Sequence, residues 1–156
     1  MAKQELSSVE TKKINLTITT PRGVKFVEKA DMIIMRCIDG NLGVLPGHEA
    51  ISTVLGDGIL RIYNNGVEKM LAVFGGVANI NETSVEVFST IAQRPEEIDL
   101  ERAEADRREA EAMLLEKTEK VHIHNSQVIL RRSLVRIEVN LHLDDNNDDN
   151  AEDDDS

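Results

Sequence analysis

At 156 residues the chain has room for one core of ordinary size and an appendage, and not for two full domains. Hydrophobic residues make up 40% of it but aromatics only 3%, with no Trp, so the core has to be assembled from Ile, Val, Leu and Met. The net charge of −11 argues against nucleic acid as a partner, because scattered Lys and Arg without a basic stripe cannot neutralise phosphates. Much of that charge is terminal. Residues 144–156 hold eight carboxylates and no base, leaving −3 for the rest, and such a run cannot bury enough apolar surface to offset its ordering entropy. It predicts a solvated, disordered acidic tail.

No stretch has the length of apolar residues that a membrane span needs, and residues 1–20 lack both a signal-peptide apolar region and an Arg-rich transit pattern. A cytoplasm-like compartment is expected. The one cysteine, Cys37, lies in the apolar run of residues 32–38 and reads as a buried structural thiol rather than a nucleophile or ligand.

From residue 14 onward, short β segments alternate with turn residues. Ile14, Leu16 and Ile18 alternate with polar partners, Pro21-Arg22-Gly23 punctuates, and Val24 to Val27 resumes. Asp39-Gly40-Asn41 closes the next apolar run. After Gly56-Asp57-Gly58, residues 59–63 alternate into Asn64-Asn65-Gly66, and residues 67–74 return, which is a hairpin by turn chemistry. Gly75-Gly76 permits a sharp change of direction or close backbone contact, and residues 77–80 and 85–88 complete the set. The sum is an antiparallel β-sandwich over residues 14–93.

At Pro95 the grammar changes. Glu96, Glu97 and Asp99 place negative charge at the start of a segment rich in Ala, Glu, Arg and Leu, which predicts a helix opening. Leu100, Ala103, Ala110 and Leu114 share a narrow face that Arg107 interrupts, and its small residues let a partner helix approach closely. Residues 120–125 read as a connection, with a second helix starting at Ser126, where Asn125 or Ser126 serves as a cap. There the period is ambiguous. Val135, Ile137, Val139, Leu141 and Leu143 alternate as a strand does, while Leu130, Leu134, Ile137 and Leu141 fit helical spacing over a longer reach, and helix is favoured. The class is therefore α+β: the sandwich, a C-terminal two-helix hairpin over residues 95–143, and the acidic tail. Two short helices with narrow apolar faces are stable only when docked, and a weakly docked element can move.

Residues 43–50, Gly-Val-Leu-Pro-Gly-His-Glu-Ala, resemble the loop signature of the epsilon subunit family of F-type ATP synthases. Phe74-Gly75-Gly76-Val77 and Ile98-Asp99-Leu100-Glu101-Arg102-Ala103 are similar to that family's glycine pair and helix opening, and the resemblance spans roughly residues 14–143. It implies a sandwich of about ten strands that packs on the gamma subunit and rests on the membrane ring of c subunits, as a non-catalytic part of the central stalk. It places Asp39, Asn41, Leu42, Pro46, His48 and Glu49 on the rotor-facing side. It also implies that the helical arm restrains ATP hydrolysis when it extends into the catalytic head, where Arg131, Arg132 and Arg136 meet acidic segments of the alpha and beta subunits. No cofactor is required. Some relatives bind ATP as a regulatory ligand on the folded arm, and Ile98, Asp99, Arg102 and Ala103 match that motif, with Arg107 or Arg108 and the pair Arg132 and Arg136 as phosphate-binding candidates. The expected location is peripheral, on the cytoplasmic face of a bacterial cell membrane, with a plastid thylakoid as the lesser alternative.

Plainer readings stand beside these. His48 alone is more often a packing or interface residue than a ligand. His122, His124 and His142 lack the spacing of a zinc site, and the acids around residue 97 are ordinary helix-dipole chemistry rather than a catalytic pair. Gly75-Gly76 lacks the flanks of a phosphate loop. Arg132 and Arg136 serve equally as partners for Glu138 or for the tail, which would then compete for them in the folded arm. The rivals to a rotor subunit are a free-standing ATP-sensing module and, disfavoured by the missing catalytic constellation, a small enzyme.

Overall fold

The structure is a computed structural model that describes residues 12–116 and 119–151, and of residues 143–151 the backbone alone. Ten strands come first: β1 (Ile14–Thr20), β2 (Gly23–Ala30), β3 (Met32–Cys37), β4 (Gly40–Val44), β5 (Ile51–Val54), β6 (Asp57–Asn64), β7 (Val67–Phe74), β8 (Val77–Ile80), β9 (Ser84–Phe88) and β10 (Ile91–Gln93). A 3-10 turn at Pro95–Glu97 leads to helices α1 (Leu100–Leu115) and α2 (Lys120–Ala151). The strands form two five-stranded sheets, in the orders β2-β1-β9-β8-β5 and β10-β7-β6-β3-β4.

The alternation visible in the sequence makes the core. Ile14, Leu16 and Ile18 are fully buried between the sheets, beside Val85 and Val87 of their own sheet and facing Ile33, Met35, Leu60, Ile62 and Leu71 of the other, with the Cys37 thiol buried among them. Every strand pairing is antiparallel except β1 with β9, which run parallel from Asn15↔Ser84 to Thr19↔Phe88. The hairpin at Asn65-Gly66 has both residues at positive φ, the conformation that a two-residue loop between twisted strands demands. Gly76 answers a different need: a Cβ there would stand 2.1 Å from the carbonyl oxygen of Phe88, so no other residue fits that approach.

Asp99 caps α1, its Oδ1 accepting from the amide of Arg102 at 3.2 Å. The second helix runs back along the first. Ser126 meets the Met113 sulfur near one end, and Asn140 donates to the carbonyl of Pro95 near the other. Along this pair the buried residues are small, Ala103 and Ala110 on α1 with Ser126 and Ser133 on α2, as the sequence predicts for α1.

Three expectations for α2 are corrected. It begins at Lys120, so residues 120–125 are helix rather than connection, and Ser126 is a buried interhelical residue rather than a cap. The helix also does not give way at Leu143 but continues through Ala151, because extending a helix already formed fixes one residue per hydrogen bond and avoids a new nucleus. Residues 152–156 of the expected tail lie outside the described residues. Finally, the long stripe is not the buried face: Leu134 and Leu141 are each 48% exposed, whereas Val139 is fully buried and Val135 packs beside it. The helix faces a sheet on one side and α1 on another, so its apolar residues follow two partners rather than one period.

Candidate functional site

Strand β7 carries the continuous apolar run Met70-Leu71-Ala72-Val73-Phe74, and it is buried on both faces. Leu71 and Val73 point into the sandwich; Met70, Ala72 and Phe74 point out of it, into a second cluster with Ile98 and Val139, flanked by Ile59, Ile91 and Val135. This outer face of the second sheet is the dock on which α2 lies. Its rungs follow from strand register: Asp57, Phe74 and Ile91 form one row, Ile59, Ala72 and Gln93 the next, then Arg61 with Met70.

The arginines of the arm are seated on the first rows. Arg132 and Arg136 both lie over the Phe74 ring, their guanidinium carbons 5.2 and 4.7 Å from its centroid. Arg132 Nε donates to Asp57 Oδ2 at 2.9 Å, Arg131 reaches the same oxygen at 3.5 Å, and Arg136 Nε donates to Gln93 Oε1 at 2.8 Å. Further along, Arg61 holds Glu68 at 2.9 Å and Glu138 of α2 at 3.6 Å. A cation over a partly desolvated ring contributes about 0.5–2 kcal/mol, so this charged edge adds substantially to the small apolar contact beneath the helix. Burial lowers the affinity of the Arg136 guanidinium for its proton. The like charges of Arg132 and Arg102 act in the same direction, and Asp106 and Asp57 oppose them.

The run Ile98-Asp99-x-x-Arg102-Ala103 builds the root of this arm. Ile98 is buried in the dock, Asp99 is the cap, and Ala103 is buried along the helix pair. Arg102 is exposed but electrostatically linked to Arg136, so Arg102, Arg132 and Arg136 form one cationic neighbourhood with Asp106 beside it. Arg108 does not join them. It is exposed, and at about 100° per residue it lies on the side of α1 opposite buried Ala103 and Ala110. Arg107, half-buried, pairs with Glu111 of its own helix at 3.5 Å. The root is anchored to β2: Arg94 donates to the carbonyl of Lys25 and stacks on Phe26, and Lys25 pairs with Glu97 at 2.7 Å.

The loop candidates fall at two places. Asp39 and Asn41 are exposed at the β3–β4 turn. Pro46, His48 and Glu49 lie beyond the far end of β4, roughly 13–17 Å away at 3.3 Å per residue. Between them, half-buried Leu42 packs on the core. His48 is half-buried, its Nδ1 2.7 Å from the carbonyl oxygen of Glu49, while Gly47 donates to the carbonyl of Glu82 and ties this loop to the β8–β9 turn.

Among the described residues, no helix lies on the other outer face of the sandwich. Across it one rung reads Val54, Val77, Phe88, Thr19, Val24, and its four apolar members are between 43 and 64% exposed. Ile38, whose amide bonds the carbonyl of Val54, is 65% exposed at its edge. Sequence reasoning missed both faces. Phe74 and Asp57 were visible only as parts of a glycine motif and a turn, although five apolar residues in succession on β7 are the signal of a strand covered on both sides.

Residues 13–95 match the family model described as ATP synthase, Delta/Epsilon chain, beta-sandwich domain, and residues 96–139 match the corresponding long alpha-helix domain. The ATP synthase epsilon chain of Caldicellulosiruptor saccharolyticus is 36% identical over 78% of this chain and 89% of its own length. That of Symbiobacterium thermophilum is 34% identical over 86% and 98%. Among solved structures, a chain of the Euglena gracilis mitochondrial ATP synthase, from the OSCP/F1/c-ring assembly, superposes with a TM-score of 0.70 at 32% identity, covering 83% of this chain and 82% of that one. A chain of the Tetrahymena thermophila enzyme's central stalk and c ring shares the fold at 16% identity and a TM-score of 0.53, over 83% and 99%. With the sandwich and the helical arm both matched, the chain belongs to the family of ATP synthase epsilon chains.

Proposed function

We propose that the chain is a non-catalytic rotor subunit of a proton-translocating ATP synthase, held between the gamma subunit and the c ring, and that its arm restrains ATP hydrolysis. The observation that carries this reading is the division of labour between the outer faces of the sandwich. One bears an exposed apolar row suited to a permanent contact, as a torque-bearing joint requires, and the other holds the arm by charged contacts that a competitor can replace. The gamma subunit takes the row Val54–Val77–Phe88–Val24, and one end of β4 rests on the c ring. The complex would sit at the cytoplasmic face of a bacterial membrane; among the described residues no helix is long and apolar enough to cross one.

The test is ATP hydrolysis by a matching catalytic head stripped of this subunit, with the full chain or its R131A/R132A/R136A variant restored. Inhibition by the full chain that the variant loses is the expected result. Inhibition that survives removes the arginines from the mechanism, and failure of both to bind the stalk removes the rotor assignment.

A regulatory nucleotide is a second reading, favoured by the seating of Arg132 and Arg136 side by side over the Phe74 ring with the charge of Arg102 acting on Arg136, since planar guanidinium groups recognise phosphate oxygens bidentately. Calorimetry of the isolated chain with Mg-ATP should then show binding that R136A weakens at least tenfold, and no heat at millimolar nucleotide would end this reading.

A further inference from the structure

In the docked state each of Arg131, Arg132 and Arg136, which the arm would offer to an acidic partner, already has a partner on the sandwich. Asp57 Oδ2 accepts from Arg132 at 2.9 Å and from Arg131 at 3.5 Å, Gln93 takes Arg136 at 2.8 Å, and the Phe74 ring lies beneath both Arg132 and Arg136. Among these only Asp57 is an anion, and its side chain is 10% exposed, sheltered from the solvent that screens an ordinary surface pair. It stands directly across from Phe74 in the β6–β7 register, so carboxylate and ring form one rigid receptor on a single rung. Asp106, the other acid acting on Arg136, belongs to α1 and travels with the arm, so it cannot tether the arm to the sandwich.

We propose that Asp57 is the latch of the arm: an internal anion that holds Arg131 and Arg132 against the sandwich, so that docking and engagement by an acidic partner exclude each other. This rests on the reading of the arm as a brake, and it names what sets the brake free. An acidic segment that takes Arg132 from the sheet has to displace Asp57, and a neutral residue at position 57 shifts the arm toward release without any change in the arm itself.

The experiment is amide hydrogen exchange on the isolated full chain. With D57N, amides of α2 around Arg132 to Val139 should exchange about tenfold faster, because the acceptor loses the charge that strengthens its bonds to Arg131 and Arg132, while those of Leu71 and Val73 in the sandwich core stay protected. R132Q, placed on the arm rather than the sandwich, should accelerate the same amides, and D57N should add much less in its presence than alone. Unchanged exchange in D57N with an intact core overturns the latch, as do fully additive effects in the double variant. Because no catalytic head is present, this result decides the latch whether or not the arm restrains hydrolysis, which the head assay decides by itself.

Discussion

The two outer faces of one sandwich have the same strand chemistry and opposite fates. On the covered face, Met70, Ala72 and Phe74 lie under α2, and polar residues ring them: Asp57, Gln93, Arg61 and Glu68. On the bare face, the row through Val77 and Phe88 has a polar rung beside it, Ser52, Asn79, Glu86 and Thr17, and among the described residues no helix lies over it. Apolar area alone therefore does not decide what a surface holds. On the proposed reading, a dock that has to let go is edged with directional charge pairs, and one that has to hold is left apolar.

Removing one phenylalanine from each face separates their roles. F74A should cost the isolated chain about 3–5 kcal/mol in urea unfolding, because it empties a buried site and unseats two arginines together. F88A should cost about 1 kcal/mol or less in the same measurement, since Phe88 is already 43% exposed. Retention on an immobilised stalk should reverse the order, with F88A the weaker binder. Equal stability losses would show that the bare face is part of the core, and unchanged retention of F88A would show that it is not the stalk contact.

A smaller effect is expected at the seam between the sheets. The Lys13 ammonium, 2.6 Å from Asp31 and 2.8 and 2.9 Å from the side-chain oxygens of Asn64 and Asn65, staples the start of β1 to the β6–β7 hairpin. Its hydrogen bond, with the Asn65 amide second, holds the Asp31 carboxyl below the usual carboxylate range. The folded form is thus the stronger acid. Its contribution is complete above the ordinary value of about 3.9 and is lost as pH falls through the lowered one. In K13M the Asp31 midpoint, followed by carboxyl carbon NMR, should move up; a midpoint that stays put would mean that the ammonium does not hold the carboxylate.

Much of the sandwich was legible from residue order, because Ile14, Leu16 and Ile18 alternate against a single core and nothing else competes for them. The helical arm was legible at its root, where Pro95 and Asp99 act through local backbone chemistry. Legibility failed where one element serves two neighbours. Val135 and Val139 face the sheet while Ser126 and Ser133 lie along the helix pair, so the hydrophobic pattern of α2 mixes two directions and passes for a strand near Val135 to Leu143. The arginines were identifiable as a cationic group, but their seat was not. Phe74 and Asp57 become neighbours only through strand register, and a cation over a ring leaves no periodic trace.

The parallel pairing of β1 with β9 has a consequence for how the chain is made. The first sheet cannot close until residues 84–88 reach Asn15 to Thr19, some seventy positions back, whereas β6 and β7 zip from a two-residue turn. Non-local closure of this kind is slow. During synthesis from the N-terminus, one edge of β1 stays unpaired while β3 to β8 emerge, and this interval is when the nascent chain is most open to pairing with another chain or to a chaperone. The arm is made last, after both sheets are complete, so it meets a finished surface and takes no part in building it.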